Sequence, residues 1–192
     1  VIYWAGGMMP EDFTSNDLTG EPANMSIHIL LLFTFVAVFL YDALYKSSLA
    51  SNVRAVTAVS FLLITAYVYA MQHLGGFGYR AVNIHLGALF GTNMAFNVWF
   101  RIWPAQQKII NAIKNGEAPD GDLLTLAGLR SKHNTYMSVP LVWTMHNQHH
   151  VTAPTALGIP NEFSWVLPMV MVILGWHIVW QLYKKSGTIK GF

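Results

Sequence analysis

The sequence contains no cysteine and few charged residues. Charged residues make up 10% of the 192 residues, against about a quarter in an average globular domain. Without cysteine the chain has no disulfides, no thiolate metal site and no covalent c-type haem motif. The scarcity of charge, with a net charge of only +2, excludes a disordered chain, a basic nucleic-acid-binding protein and an ordinary soluble enzyme.

What the chain does contain is apolar residues and histidine. Hydrophobic residues make up 54% of the chain, the mean hydropathy is +0.39, and there are 8 histidines beside 20 other charged or chargeable Lys, Arg, Asp and Glu residues (11 basic and 9 acidic). This composition indicates an integral membrane protein in which histidine is the main chemical resource.

Five stretches without Asp, Glu, Lys or Arg are long enough for a helix of about 20 residues that crosses a bilayer. The fourth stretch ends in a segment with Pro154, Gly158 and Pro160, which predicts a loop there. We therefore predict an all-α fold, an integral membrane bundle with five transmembrane helices. They cover about 24–45, 54–74, 81–103, 134–150 and 163–183.

The basic residues are distributed unequally between the two sides of this predicted bundle. Ten of them fall on the side of the C-terminus, and Arg80 alone falls on the side of the N-terminus. The positive-inside rule then predicts an N-terminus outside and a C-terminus in the cytoplasm. In a bacterium the protein would be a multi-pass protein of the inner membrane.

Two segments lie outside the predicted spans. Residues 1–23 are predicted as a polar extracytoplasmic arm, and residues 24–192 form a single transmembrane domain. Residues 104–132 are predicted as a cytoplasmic loop, which opens with a basic amphipathic piece at 106–114. It turns at Asn115-Gly116 and includes a short second helix around Leu123–Leu129.

The histidines sort by depth. Residues at equal distances before and after a loop midpoint lie at about the same depth in antiparallel helices, because the rise per residue is constant. This arithmetic predicts one group near the extracytoplasmic side and a pair, His133 and His177, near the cytoplasmic side. The members of the first group are His28, His73, His85 and His149.

Histidines grouped in this way are typical of a haem or metal site. Haem b takes two axial imidazoles from different helices of a bundle, so the first group predicts one haem b, and His133 with His177 a second. Copper is the alternative cofactor, with His146 and His150 as its ligands. The simpler interpretation of any one histidine near a helix end is an interfacial side chain. No catalytic residue is predicted, since no nucleophile–base arrangement or carboxylate pair stands out.

One motif resembles a known family. The run NVWFRIWPAQQK at Asn97–Lys108, together with residues 115–120 and 130–136, is similar to the membrane domain of bacterial cytochrome c-dependent urate oxidases (urate hydroxylases) and their uncharacterised relatives. The similarity extends over about 110 residues, from Arg80 to Lys185.

The resemblance implies a multi-helix membrane domain that exchanges electrons with a cytochrome c. It places five histidines at family histidine positions, whereas His73, His146 and His150 are particular to this chain. Urate oxidases carry a C-terminal cytochrome c domain, and this sequence has no cysteine to hold such a haem. We therefore expect the cytochrome c to be a separate subunit. The five shared positions are His28, His85, His133, His149 and His177.

Three functions are compatible with these patterns. The leading hypothesis is a haem b electron-transfer subunit of a larger redox or respiratory complex, which exchanges electrons with a periplasmic cytochrome c or catalytic subunit and, on the cytoplasmic side, with a quinone. Next is a cofactor-free structural subunit of such a complex, whose histidines bind carbonyl groups or lipid headgroups. The last is an oxidase or hydroxylase with its own haem or copper centre. Colour separates the first from the second.

Overall fold

The computed structural model describes residues 25–188, and within that range the chain forms helices and no strand. The predicted extracytoplasmic arm, 1–23, lies outside the described residues. The all-α prediction is confirmed for the part of the chain that the structure describes. Its helices are α1 (Met25–Leu44), α2 (Val53–His73), α3 (Tyr79–Asn97), α4 (Trp103–Lys114), α5 (Gly121–Asn147), the four-residue α6 (Ala153–Ala156) and α7 (Val166–Ser186).

Three of the helical segments are long and apolar enough to cross a membrane: Ser26–Leu44, Val53–His73 and Asn161–Ser186. The other two predicted spans correspond to α3 and α5, which are more polar. The polar side chains of α3, such as Asn83, are buried inside the bundle. A helix surrounded by other helices needs no apolar outer surface, so this polarity is compatible with a membrane span. That α3 and α5 also cross the membrane, which would make five spans in total, stays a prediction.

Most of the segment predicted as a cytoplasmic loop, 104–132, is helical. α3 continues through a π-helical turn, Val98–Ile102, directly into α4. Pro104 has no N–H to donate to the carbonyl of Phe100, and the Arg101 Nη1 donates to that carbonyl instead, at 3.2 Å. A helix can thus pass through a position at which the sequence pattern alone predicts its end.

α5 begins 13 residues before the start predicted for its span, at Gly121 instead of residue 134. The Asp120 side chain accepts a hydrogen bond from the backbone N–H of Asp122 and caps the helix. The turn predicted at Asn115-Gly116 is confirmed, since Gly116 has a φ of +75°. The short helix predicted around Leu123–Leu129 is therefore the first part of α5.

α3 is the central helix of the bundle, with contacts to α1 on one side and α5 on the other. Gly87 allows α3 and α5 to approach closely, since a Cβ at Gly87 would lie 2.6 Å from the Thr144 Oγ1. Gly175 does the same for α7, where a Cβ would lie 3.1 Å from the Pro140 Cδ of α5. Gly91, one turn further along α3, has open space around it and does not mark a close approach.

Side-chain contacts between helices define two ends of the bundle. Asn97 contacts Asn134 near the end that holds Asp42 and His133, which we call the Asp42 end. Asn83 contacts Asn147 at the opposite end, which also holds His85 and which we call the His85 end. Since α3 and α5 run antiparallel between these two pairs, each residue of α3 lies at the same height in the bundle as an identifiable residue of α5.

Candidate functional site

A cavity with a volume of about 960 Å³ lies towards the Asp42 end. Side chains of α1, α2, α3, α5 and α7 line it, and most of them are aliphatic or aromatic. The aromatic walls include Phe61 and Tyr67 of α2, and Trp176 and Trp180 of α7. A volume of this size is at the upper end of the range, about 300–1,000 Å³, that small-molecule and cofactor sites occupy.

Both histidines of the predicted cytoplasmic pair line this cavity. The His133 Nδ1 forms a hydrogen bond with the Tyr41 hydroxyl at 2.8 Å, and the ring centroids of His133 and Tyr45 are 4.3 Å apart. His177 lies within 3.2 Å of the Gln181 side-chain nitrogen. Since Gly175 faces Pro140, His177 is level with about Met137, one helical turn from His133. A haem held by this pair stays a prediction.

Two buried polar atoms among the cavity-lining side chains lack hydrogen-bond partners within the described residues. They are the Asn93 Oδ1 of α3 and the Trp176 Nε1 of α7. Asn93 is only 6% exposed. Asn97, one turn further along α3, does have partners, because its Nδ2 donates to Tyr41 and to Asn134. The Asn93 Oδ1 and the Trp176 Nε1 are therefore buried polar atoms that the described residues leave unpaired.

A charged cluster lies beside the cavity and includes three basic residues around Asp42. The Arg101 Nε and the Arg130 Nη2 donate to the Asp42 Oδ1 at 2.9 and 3.0 Å, and the Lys46 Nζ lies 2.7 Å from the Oδ2. The Arg130 guanidinium also lies over the Tyr41 ring, 5.2 Å from its centroid. The cluster therefore ties α1, the π-helical turn and α5 together next to His133.

Arg130 is the member of this cluster that the sequence analysis missed. Arg130 is 2% exposed and is the largest fully buried side chain of the described residues. The sequence holds a signal for Arg130, which lies three residues before His133. In a helix that begins at Gly121, Arg130 is placed in the bundle next to His133, and a buried charge there needs a partner. The predicted start at residue 134 left Arg130 in a loop.

At the opposite end, His85 is buried on α3, with 1% of its surface exposed. Its Nδ1 lies 2.7 Å from the backbone carbonyl of Ala81, and since a carbonyl only accepts, the Nδ1 carries the proton. The Phe77 ring packs beside it, with centroids 5.2 Å apart. In its neutral form the ring therefore has its lone pair on Nε2, the nitrogen that can bind a metal.

Contacts between helices also show which histidines lie at the level of His85. α1 and α3 run parallel, and Tyr41 contacts Asn97, which sets an offset that brings His28 level with His85. On α5 the corresponding level is that of Met145 and His146, because Asn83 contacts Asn147 and Gly87 faces Thr144. His149 follows the end of α5 at Asn147 and lies in the next turn. The equal depth expected for His28 and His85 thus agrees with the helix contacts.

Most of the remaining histidines are exposed on the isolated chain: His28, His73, His146, His149, His150 and His177. The rings of His146 and His150, the pair predicted for copper, have centroids 5.3 Å apart. Between residues 25 and 188, no group of three or more His, Asp or Glu side chains is close enough together to hold a metal ion.

A comparison with protein families gives one match, to the family described as urate oxidase N-terminal, over residues 2–190. The match is longer than the similarity predicted from Arg80 to Lys185, and it covers nearly the whole chain. No curated protein and no solved structure matches the chain.

Proposed function

The chain belongs to the urate oxidase N-terminal family, and on that premise we propose that it is a membrane-embedded haem b electron-transfer subunit of a larger redox complex. It exchanges electrons with a periplasmic cytochrome c or with a catalytic subunit on the His85 end. The proposal includes five spans, with α3 and α5 completing the three apolar helices, and residence in a bacterial inner membrane with the C-terminus in the cytoplasm.

The observation that carries the proposal is the setting of His85. A ligating histidine usually donates its other ring N–H to a carbonyl or carboxylate, which fixes the ring and the tautomer. His85 has this arrangement with Ala81. His28 lies at the same level on α1, and two imidazoles on neighbouring helices are the donor set of a bis-histidine haem. The residues present therefore fit haem b, which would supply a one-electron redox centre when bound.

The side chains around His85 would hold and shield the iron-binding nitrogen. The Ala81 carbonyl keeps the proton on the Nδ1 of His85, and the Phe77 ring packs against the His85 ring. His28, His73 and His149 are the candidates for the second axial position, with His28 supported by its level. His133 and His177 are the candidates for a second haem, in the cavity at the Asp42 end.

The test is a reduced-minus-oxidised visible spectrum of the detergent-purified full chain, with pyridine haemochrome quantification. We expect a b-type spectrum that is lost in His85→Ala and retained in His150→Ala, a matched control at an exposed histidine. Because His85 is a core residue, His28→Ala tests the same site at an exposed position, and added imidazole should restore the spectrum of His85→Ala.

Full haem content in both His85→Ala and His28→Ala, with gel filtration showing folded protein, would overturn this ligand assignment. A colourless wild-type protein would contradict the haem proposal altogether. Elemental analysis of the same sample then separates the two alternatives: copper that is lost in His146→Ala and His150→Ala favours an oxidase or hydroxylase centre, and no metal favours a structural subunit.

A further inference from the structure

We propose that the cavity at the Asp42 end binds an anionic phospholipid. The head group lies at the cavity mouth, where Arg54 of α2 and Lys132 of α5 face it, and an acyl chain fills the apolar part of the cavity. The proposal requires that α2 and α7 lie in a membrane, and it does not depend on a haem at His85.

The two cations that line the cavity have no counter-charge within the described part of the chain. Arg54 and Lys132 are both exposed and both line the cavity. The ion pairs formed by residues 25–188 all involve Asp42, which pairs with three other basic residues. The mouth of the cavity therefore presents two uncompensated positive charges to a ligand.

Arg54 and Lys132 lie at the same height in the bundle. The rings of Phe61 on α2 and Trp176 on α7 are 6.1 Å apart between centroids. Arg54 lies seven residues from Phe61 towards the Asp42 end. Tyr183 lies as many residues from Trp176 in the same direction, because the two helices are antiparallel. Arg54 is thus level with Tyr183, whose ring centroid is 4.9 Å from the Lys132 Nζ.

The gap between α2 and α5 at this end is narrow enough for one tyrosine to bridge it. The ring of His133, which follows Lys132, packs against Tyr45 with centroids 4.3 Å apart. The Tyr45 hydroxyl lies 3.2 Å from the Ser60 Oγ of α2. Since the side chains of Arg54 and Lys132 are long and exposed, both can extend to the head group of a single lipid.

The cavity opens towards the bilayer between α2 and α7. Contacts between these helices, such as the hydrogen bond from the Ser164 Oγ to the Gln72 Oε1 at 3.0 Å, lie towards the His85 end. Nearer the Asp42 end, Val53 of α2 and Trp180 of α7 line the cavity and are also exposed at the surface. An acyl chain can therefore enter from the side, while its head group stays at the level of the cations.

Charge distinguishes a phospholipid from neutral ligands of similar shape. A quinone or a neutral lipid would leave Arg54 and Lys132 without a counter-charge, whereas an anionic head group compensates both. Basic pockets between transmembrane helices recognise anionic lipids in this way.

A haem also carries negative charge, on its propionates, but it needs an axial ligand. The Tyr41 hydroxyl accepts a hydrogen bond from Asn97, so its own proton is donated to the His133 Nδ1. The neutral His133 ring then carries its proton on Nε2, which is the reverse of the arrangement at His85. This tautomer favours the phospholipid as the occupant of the cavity.

The experiment measures lipid binding to the detergent-purified full chain by native mass spectrometry, in which each bound lipid adds a resolved mass. The probes are dioleoyl phosphatidylglycerol, which is anionic, and dioleoyl phosphatidylcholine, which is zwitterionic. We expect the wild type to prefer phosphatidylglycerol. Arg54→Gln and Lys132→Gln should each weaken its binding about 5-fold, and the double variant should lose the preference.

Lys185→Gln is the matched control for charge. Lys185 is also exposed at the Asp42 end but does not line the cavity, so its replacement should leave the preference unchanged. All three positions are exposed, so the lipid-free variants should melt at the wild-type temperature. Weaker binding then cannot be attributed to unfolding.

A second pair of variants tests the apolar part of the site without changing its charge. Ala58 of α2 is exposed and lines the cavity, so the indole ring in Ala58→Trp should fill the space of the acyl chain and weaken binding of both lipids. Leu62→Trp, one turn further along α2, is the control, because Leu62 is exposed but does not line the cavity.

Equal binding of the two lipids by the wild type, or a preference that persists in the double variant, would contradict the proposal. An equal loss in Lys185→Gln would show a general attraction to the charged surface, and unchanged binding in Ala58→Trp would place the chain outside the cavity. Haem absorbance that depends on His133 and His177 would show that a haem occupies the cavity instead. Failure of the haem proposal at His85 is visible in the spectrum alone and leaves the lipid comparison unaffected.

Discussion

At the scale of single residues, Asp42 has the largest electrostatic role in the described part of the chain. Its carboxylate receives hydrogen bonds from two arginines that come from different segments, Arg101 from the π-helical turn and Arg130 from α5. Removal of one partner from a buried pair leaves an uncompensated charge, which destabilises a fold far more than the loss of an exposed pair. The two kinds of partner around Asp42 allow a direct comparison.

We expect Asp42→Asn to lower the free energy of unfolding by about 3–5 kcal/mol, because the buried Arg130 loses its counter-charge. Lys46→Gln is the control. The Lys46 side chain is 56% exposed, and the loss of such an exposed pair costs about 0–1 kcal/mol. Unfolding by SDS in mixed micelles measures both. Equal effects of the two substitutions would show that Arg130 does not depend on Asp42.

At the scale of secondary-structure elements, the junction of α3 and α4 differs most from its sequence pattern. The segment before Pro104 is a π-helical turn rather than a helix end, and Arg101 has two tasks there: it bonds to Asp42 and to the carbonyl that Pro104 leaves without a donor. π-helical turns within helices are frequently found at functional sites. This one adjoins the charged cluster and, through α1 and α5, the cavity.

Close contact between α3 and α5 depends on the absence of a side chain at Gly87. We expect Gly87→Ala to destabilise the protein by about 1–3 kcal/mol, as overpacking of a well-packed interface does. Gly91→Ala, one turn along the same helix with open space around it, should be neutral or stabilising by about 1 kcal/mol because alanine favours a helix.

The double variant Gly87→Ala/Thr144→Ala distinguishes steric overlap from a general effect on α3. Thr144 supplies the Oγ1 that a Cβ at Gly87 would approach, so its truncation should restore part of the lost stability. Independent, additive losses in the double variant would show that the contact between these two residues is not the cause.

At the scale of the whole molecule, the proposed topology makes a prediction that a single covalent label tests. The chain has no cysteine, so Lys114→Cys and Thr155→Cys each introduce one thiol, on the two sides of α5. With five spans, a membrane-impermeant maleimide should label Lys114→Cys only from the cytoplasmic face and Thr155→Cys only from the opposite face.

Labelling of both positions from the extracytoplasmic face would instead indicate three spans, since α3 to α5 would then not cross the membrane. Both thiols should be accessible in either case, because Lys114 and Thr155 are exposed. Detergent-solubilised protein, in which both react, serves as the control for reactivity.

The apolar runs were sufficient to predict α1, α2 and α7, the helices with many exposed apolar side chains. α1 and α2 end within one residue of their predicted limits, and α7 is shifted by three. The sequence was least informative for α5, because Asp122, Arg130 and Lys132 interrupt its apolar pattern. Burial of such charges depends on partners from other helices, and no local pattern names those partners.

For the candidate sites, the sequence alone predicted that His28 and His85 lie at the same depth, because the rise per residue of a helix is constant. The inward or outward direction of each histidine was not determined, since a uniformly apolar helix has no preferred face. Only the tertiary structure decided that His85 is buried whereas His149 follows the end of its helix.

Only the tertiary structure, too, decided that Asn93 and Trp176 line one cavity and that each has one buried polar atom without a partner among the described residues. The reason is physical: composition and periodicity determine which segments are helices and how deep each residue lies, because both depend on the local chain. Which side chains meet depends on the rotation of each helix against its neighbours, and packing between distant segments sets that rotation.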